Sequence, residues 1–397
     1  MDNSRMSFFE LLNFYYGHLM YDIIPFWMCH AIDWEYGGIF TGIADDGTIL
    51  STDKFIWSNA RALYTFSSLY NYIEPEQKWL DIARNIFAFC ADHGRTEQRI
   101  WGYLTNRKGV MLEGEKAIQV DAFAIMGMAE YAQATGDERA KAIAVETYES
   151  THSRLACPGS YGTFPYPIPE GAKAHRDHFQ FALAYFMLGK LLGREDILSE
   201  AYRHAEYIMD YFRRPERGVL VEYVSVENTF MDTPAGRTMN PGHAIESMWF
   251  LIHLYRHSGN RERIRQAIET IRLALEKGWD PEYGGLFLAI DIEGKTPVYW
   301  KHANKKLWWV FCEALYALLL AYEESGQTWC MDWYWKIHDW AFTHFPVPVY
   351  GEWTQKLNRD GSRFDGIVAL PVKDPFHLPR ALVMCIDVLR RINGKNS

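Results

Sequence analysis

A mainly helical (α/α)6 barrel, six helical hairpins joined by short β-hairpin loops at one end, is the fold predicted for this chain of 397 residues. Three observations point to it. Aromatic and glycine-rich hairpin signals recur at 34–40, 101–103, 161–164, 217–220, 282–287 and 350–353, about sixty residues apart, with room between them for two helices. The intervening segments repeat apolar residues at i, i+3, i+4. Strand-like patterns are confined to the signals. A helix pair that cannot bury its apolar face alone must stack or close into a ring. Six pairs make a ring around one central cavity.

Taken in order, the first signal is Trp34-Glu35-Tyr36-Gly37-Gly38-Ile39-Phe40, a tight aromatic turn. The segment 79–92 then aligns Trp79, Ile82, Ala83, Ile86, Phe87 and Cys90 on one face, and 119–134 aligns Phe123, Met126, Met128 and Tyr131. The same period appears at 178–193, 199–212, 243–257, 262–277, 307–323, 331–344 and 377–391. Gly136-Asp137 and Gly259-Asn260 punctuate helix ends. Glu282-Tyr283-Gly284-Gly285 repeats the turn chemistry of the first signal. No Pro/Ser-rich spacer, charge block or low-complexity run divides the chain, so residues 1–397 read as one domain.

A net charge of −9 and a pI near 5.9, with no cluster of Lys and Arg, exclude nucleic acid as a partner. No stretch approaches the apolar length of a membrane span, and the N-terminus carries no secretory leader, so a soluble cytoplasmic protein is expected. Six cysteines without a CxxC pair or ligand spacing read as reduced, mostly buried thiols, and no metal site is expected. Aromatics make up 16% of the chain, many of them beside Gly, Asp, Glu or His, a placement suited to stacking on the C–H faces of a sugar.

The chemistry concentrates in a few places. In 240–249, Asn240 and Pro241 start a helix, placing His243 and Glu246 one turn apart on one face. An imidazole at a helix N-terminus is biased toward its neutral, basic form. A second histidine, His377, stands between Pro375 and Pro379 and opens the last helix in the same way. Arg61 follows Trp57, and Glu313 follows Trp308 and Trp309, each roughly one turn after an aromatic. Such an Arg suits a developing oxyanion, and such a Glu can hold a hydroxyl or orient a histidine.

The chain resembles the N-acylglucosamine 2-epimerase family nearly end to end. The resemblance is carried by Leu19 with Pro25-Phe26-Trp27, Thr52-Asp53-Lys54-Phe55-Ile56-Trp57, Asn240-Pro241-Gly242-His243-Ala244-Ile245-Glu246, Trp279-Asp280 with Glu282-Tyr283-Gly284-Gly285, Lys306-Leu307-Trp308-Trp309 and Phe376-His377-Leu378-Pro379-Arg380. It implies an (α/α)6 barrel, a cytosolic homodimer and proton transfer at C2 of an aldose. His243, His377, Arg61 and Glu313 are the catalytic residues it implies. Glu246, Trp57, Asp121, Trp308, His178, Lys373 and Arg380 are the residues expected to contact substrate. The implied reaction interconverts N-acyl-D-glucosamine and N-acyl-D-mannosamine by ring opening and two-base transfer through a cis-enediolate; the alternative is a D-mannose 2-epimerase or aldose–ketose isomerase acting on free hexose or cellobiose. No cofactor or metal is required. Some members bind ATP as an activator on a Lys- and Gly-rich loop; the corresponding stretch, 157–178, does not clearly preserve it, so a nucleotide activator is possible but not supported by that loop. Relatives acting on free mannose or cellobiose place a further histidine there, a part open to His175 or His178.

Overall fold

Alternate long helices of this protein are buried on nearly every face, and that burial sets the architecture. The computed structural model describes residues 5–157 and 159–395; residues 1–4 and 396–397, and Pro158 in the 157–178 loop, lie outside the described residues. The chain opens with α1 (Phe8–Gly17), which runs through a π-helical stretch, His18–Ile23, into α2 (Ile24–His30). Pairs follow: α3 (Ile56–Ser68) and α4 (Gln77–His93), α5 (Gln119–Thr135) and α6 (Glu138–Leu155), α7 (Arg176–Leu192) and α8 (Glu195–Tyr207). Then come α9 (Pro241–Ser258) and α10 (Arg261–Gly278), α11 (Trp308–Ser325) and α12 (Thr328–His344), and last α13 (His377–Lys395).

Helices α3, α5, α7, α9, α11 and α13 each pack on the next, and α13 packs back on α3, so the inner ring is closed. The other helices cover it, with α1 against α13. Outer helices show one apolar stripe: α10 buries Ile264, Ala267, Ile268, Ile271, Ala274 and Leu275. Inner helices have no polar face. In α3, Ser58, Asn59, Thr65, Ser67 and Ser68 are buried along with the apolar residues, and α3 alone of the inner helices is missing from the periodic segments. Helices α1, α2 and α6 also escaped the periodicity, and the predicted 199–212 helix turns π-helical at Ile208–Phe212.

The two ends of the ring differ. At one end α5 stops at Gly136 and α9 at Gly259, both at positive φ (73° and 72°), where a residue with Cβ is disfavoured, and the outer helix restarts two residues later. At the other end, long loops lead from each outer helix into the next inner one and carry the hairpins. Five of the six signals close on themselves, through Ile32↔Ile39, Arg95↔Trp101, Trp279↔Leu286, Pro346↔Trp353 and the pairing of Arg213–Arg214 with Val219–Leu220. The signal at 161–164 instead bridges to the preceding loop through Ala117↔Thr163, since Gly162 N–H is taken by Glu115 and its carbonyl by Ile118 N–H.

Two of these hairpins are locked by the same device. Asp33 receives Lys54 Nζ (2.9 Å) and Arg107 Nε (2.9 Å), and Asp280 receives Lys306 Nζ (3.1 Å) and Arg359 Nε (2.8 Å). Both lysines are buried, and both donate to the carbonyl of a hairpin glycine, Gly37 or Gly285. Each lysine stands two residues before an inner helix begins, so the pair fixes where α3 and α11 start. All six cysteines are free, and four are buried, with Cys29 and Cys157 exposed. Among the described residues, no helix is long and apolar enough to cross a membrane.

Candidate active site

At the long-loop end, the N-terminal turns of all six inner helices surround a cavity of about 170 Å³. Trp57 and Arg61 reach it from α3, Gln119 from α5, Arg176 and Gln180 from α7, His243 and Glu246 from α9, Trp308 and Trp309 from α11, and His377 from α13. Loop residues, Phe164, Tyr166, Trp300, Gln355 and Lys356 among them, form the rest of the wall. Because the inner helices all begin here, the positive ends of six helix dipoles converge on the cavity, a field that favours negative charge in a bound ligand.

His243 is placed by its own helix start. Asn240 caps α9, its Oδ1 accepting from His243 N–H at 3.0 Å, and Pro241 occupies the first turn. The Nδ1 of His243 lies 3.1 Å from Oε2 of Glu222. Burial raises the Glu222 carboxyl, but the His243 and His175 imidazoles beside it more than offset this and hold it down at about 2. An ionised carboxylate accepts from Nδ1–H, which leaves the lone pair on Nε2.

His377 has the same arrangement. Its Nδ1 lies 2.7 Å from Oε1 of Glu313, whose Oε2 accepts from Trp249 Nε1 at 2.8 Å. Burial, helped by the Arg61 charge, pushes the His377 imidazole well below its ordinary 6.5, so the ring is neutral at pH 7.

Trp309 links the two. Its ring centroid lies 5.3 Å from that of His243 and 5.6 Å from that of His377. Gly242 permits this contact, because a Cβ there would come within 2.5 Å of the Trp309 ring. Arg61 stacks on Trp57, Phe123 and Phe376, with its guanidinium carbon 4.8, 4.1 and 4.7 Å from their centroids, and its Nη1 lies 3.3 Å from Asp374. Glu246, Glu313 and His377 offer ligand atoms within 4.8 Å of one another, a spacing that would suit a cation. Arg380 already places a guanidinium there, its Nη2 2.6 Å from both Glu246 Oε1 and Glu313 Oε1.

The structure thus brings His243, His377, Arg61, Glu246, Trp57 and Trp308 to one cavity and sets Glu313 directly behind His377. Four residues expected at the substrate lie elsewhere. His178 is two residues from both Arg176 and Gln180, hence on the far face of α7, where its Nδ1 is 3.0 Å from that of His204 and its ring stacks on Tyr207. Asp121, two residues past Gln119, turns away in the same manner to bond Arg154, and burial raises its carboxyl to about 7. Lys373 donates to Trp353 O (2.6 Å) and Asp45 Oδ1 (2.9 Å). Arg380 lies one turn beyond His377, under the carboxylates. His175 is buried behind Glu222, 3.9 Å from Oε1. The sequence reading missed Glu222, which sits among short loop strands with no periodic signal, and left Gln119, Arg176 and Gln180 without a site role.

The family described as N-acylglucosamine 2-epimerase (GlcNAc 2-epimerase) matches residues 38–381. This chain belongs to that family. It is 31% identical over 379 residues to the N-acylglucosamine 2-epimerase of Mus musculus, covering 92% of this chain and 89% of that protein. It is 29% identical over 378 residues to the Homo sapiens protein of the same name, covering 92% and 87%, and 25% identical over 395 residues to the cellobiose 2-epimerase of Bacteroides fragilis, covering 92% and 95%. Its fold is that of the cellobiose 2-epimerase from Spirochaeta thermophila (TM-score 0.83, 22% identity, 100% of each chain) and of a D-mannose isomerase (TM-score 0.80, 18% identity, covering 98% of this chain and 100% of that one). As a member of this family the protein is a carbohydrate epimerase, an isomerase.

Proposed function

We propose that the protein interconverts N-acyl-D-glucosamine and N-acyl-D-mannosamine by two-base proton transfer at C2. The observation that carries this reading is that two histidines, each with Nδ1 on a buried carboxylate, flank one indole in one cavity. Inverting C2 requires the open-chain aldehyde. One neutral imidazole removes the C2 proton, and the electron pair moves through C1 to O1, giving a 2-acylamido enolate with its charge on O1; the cis-enediolate expected from the sequence forms only from a sugar with a hydroxyl at C2. The other imidazole, as its conjugate acid, returns a proton to the opposite face. Each such transfer contributes about 10²- to 10⁴-fold. Arg61 and the six converging helix starts stabilise the negative O1, and losing one preorganised donor of this kind costs about 3 kcal/mol. Glu222 and Glu313 hold the histidines in the tautomer that presents Nε2.

The wider reading follows the family: a cytoplasmic homodimer that needs no cofactor. For a nucleotide activator the 157–178 stretch gives no support, its Lys173 being tied to Tyr207 OH and Asn228 Oδ1, both at 2.9 Å. The test is to incubate the protein in D₂O with GlcNAc, ManNAc, mannose, glucose and cellobiose and follow C2–H exchange by proton NMR. Exchange is expected with the two N-acetyl sugars. Exchange with mannose or cellobiose and not with ManNAc would overturn the substrate assignment in favour of a free-sugar epimerase.

A further inference from the structure

The polar wall that α5 and α7 present to the cavity plays no part in the proton transfer. Arg176 and Gln180 stand one turn apart on the same face of α7, both lining the cavity, and only 5% and 9% exposed. Each keeps a buried polar atom without a hydrogen-bond partner: Nε of Arg176, a donor, and the Oε1 end of the Gln180 amide, an acceptor. The nearest anionic oxygen to that Nε, Oδ1 of Asp177, is 3.7 Å away, beyond hydrogen-bonding reach, and is itself bonded by Gln119 Nε2 at 2.9 Å. Unpaired buried polar groups are costly, so a site that keeps one donor and one acceptor on residues one helical turn apart gains most from a ligand that supplies both complements.

Arg176 is also held in place. Its Nη2 donates to the carbonyls of Thr163 (3.3 Å) and Tyr166, which pins the intervening loop so that Phe164, Pro165 and Tyr166 form an apolar cover on the cavity. Donor, acceptor and apolar cover together match a secondary amide carrying a small alkyl group. The substituent at C2 is bonded to the carbon whose proton the histidines move, so it must lie beside them, and α7 is the neighbour of α9, which carries His243.

We propose that Arg176 and Gln180 form the subsite for the 2-acylamido group, Arg176 donating to its carbonyl, Gln180 accepting from its N–H, and the 164–166 loop covering its alkyl end. This rests on the N-acyl reading above and explains how a free hexose, with only a hydroxyl at C2, is discriminated against: it leaves both groups unpaired.

Calorimetric binding of two unreactive open-chain ligands, N-acetyl-D-glucosaminitol and D-glucitol, tests it, because neither has the C1 carbonyl that the reaction needs. The wild-type protein is expected to prefer the acetamido alditol, and Gln180→Met, close in shape but apolar, to weaken that ligand about tenfold while leaving glucitol unchanged. An unchanged preference in Gln180→Met overturns the subsite. Equal wild-type affinity for the two alditols overturns the N-acyl reading itself, and the subsite with it. A second measurement needs no variant: the 2-acetoxy analogue, which has the carbonyl but no N–H, is expected to bind the wild-type protein more weakly than the acetamide, and equal binding would contradict the role of Gln180.

Discussion

The Nδ1 of His377 and Oε1 of Glu313 lie 2.7 Å apart, while only the histidine lines the cavity. Glu313 therefore acts through His377. It fixes the ring's tautomer and orientation from a position that substrate does not reach, and Trp249 and Arg380 fix Glu313 in turn.

Glu313→Gln keeps the shape but turns the partner of Nδ1 into an amide that can equally well donate, which weakens the hold on the tautomer. Steady-state kinetics should show kcat lowered by about 10²-fold or more with KM almost unchanged. A rise in KM at constant kcat would instead mark Glu313 as a ground-state binding group.

Glu222 makes the matching contact to His243, and its substitution should behave alike. Glu222→Gln is expected to reduce kcat by a similar factor in both directions of the reaction. Full activity in this variant would separate His243 from the chemistry, since Glu222 is the carboxylate on its Nδ1.

Gly242 connects packing to the site. A methyl group at this position would come within 2.5 Å of the Trp309 ring, which touches both histidines. Gly242→Ala should displace the indole and cut kcat/KM by at least tenfold, a cost consistent with a small misplacement of catalytic groups. Unchanged kcat/KM with an unchanged Trp fluorescence spectrum would contradict the placement of Trp309.

These site residues were not equally legible in the sequence. His243 and His377 could be found because each opens a helix with a capping residue or proline beside it, a strictly local pattern. Outer helices such as α4 and α10 were equally plain, having one apolar stripe each. The helix that carries Arg61 left no plain stripe, because polar Ser58, Asn59, Thr65, Ser67 and Ser68 are buried among its apolar residues. Glu222 reaches His243 across a loop, so nothing in its neighbourhood announces it. His178 and Asp121 were misplaced for a simpler reason: in both helices the cavity face is set by residues two positions away, Arg176 and Gln180 in one and Gln119 in the other.

Glu130, inside the ring on α5, gives a test of stability. Burial raises its carboxyl from 4.5 to about 7 although Asn71 Nδ2 donates to it at 2.6 Å. Between those pH values the folded protein holds a proton that the unfolded chain has lost, so this group weakens the fold as pH rises through that window. Glu130→Gln should be more stable than the wild type at pH 8, by about 3 kcal/mol at most, with the advantage shrinking toward pH 4.5. Urea denaturation at the two pH values measures the difference. A gap independent of pH would contradict the raised carboxyl.

The most direct measurement of the two-base mechanism is C2–H exchange in D₂O by His243→Asn and His377→Asn, each started separately from GlcNAc and from ManNAc. Neither variant should form the other epimer at a measurable rate, and each should retain slow exchange from one epimer only, a different one in the two variants. Net epimerisation by either variant, or exchange of the same epimer by both, would contradict the assignment of one histidine to each face of C2.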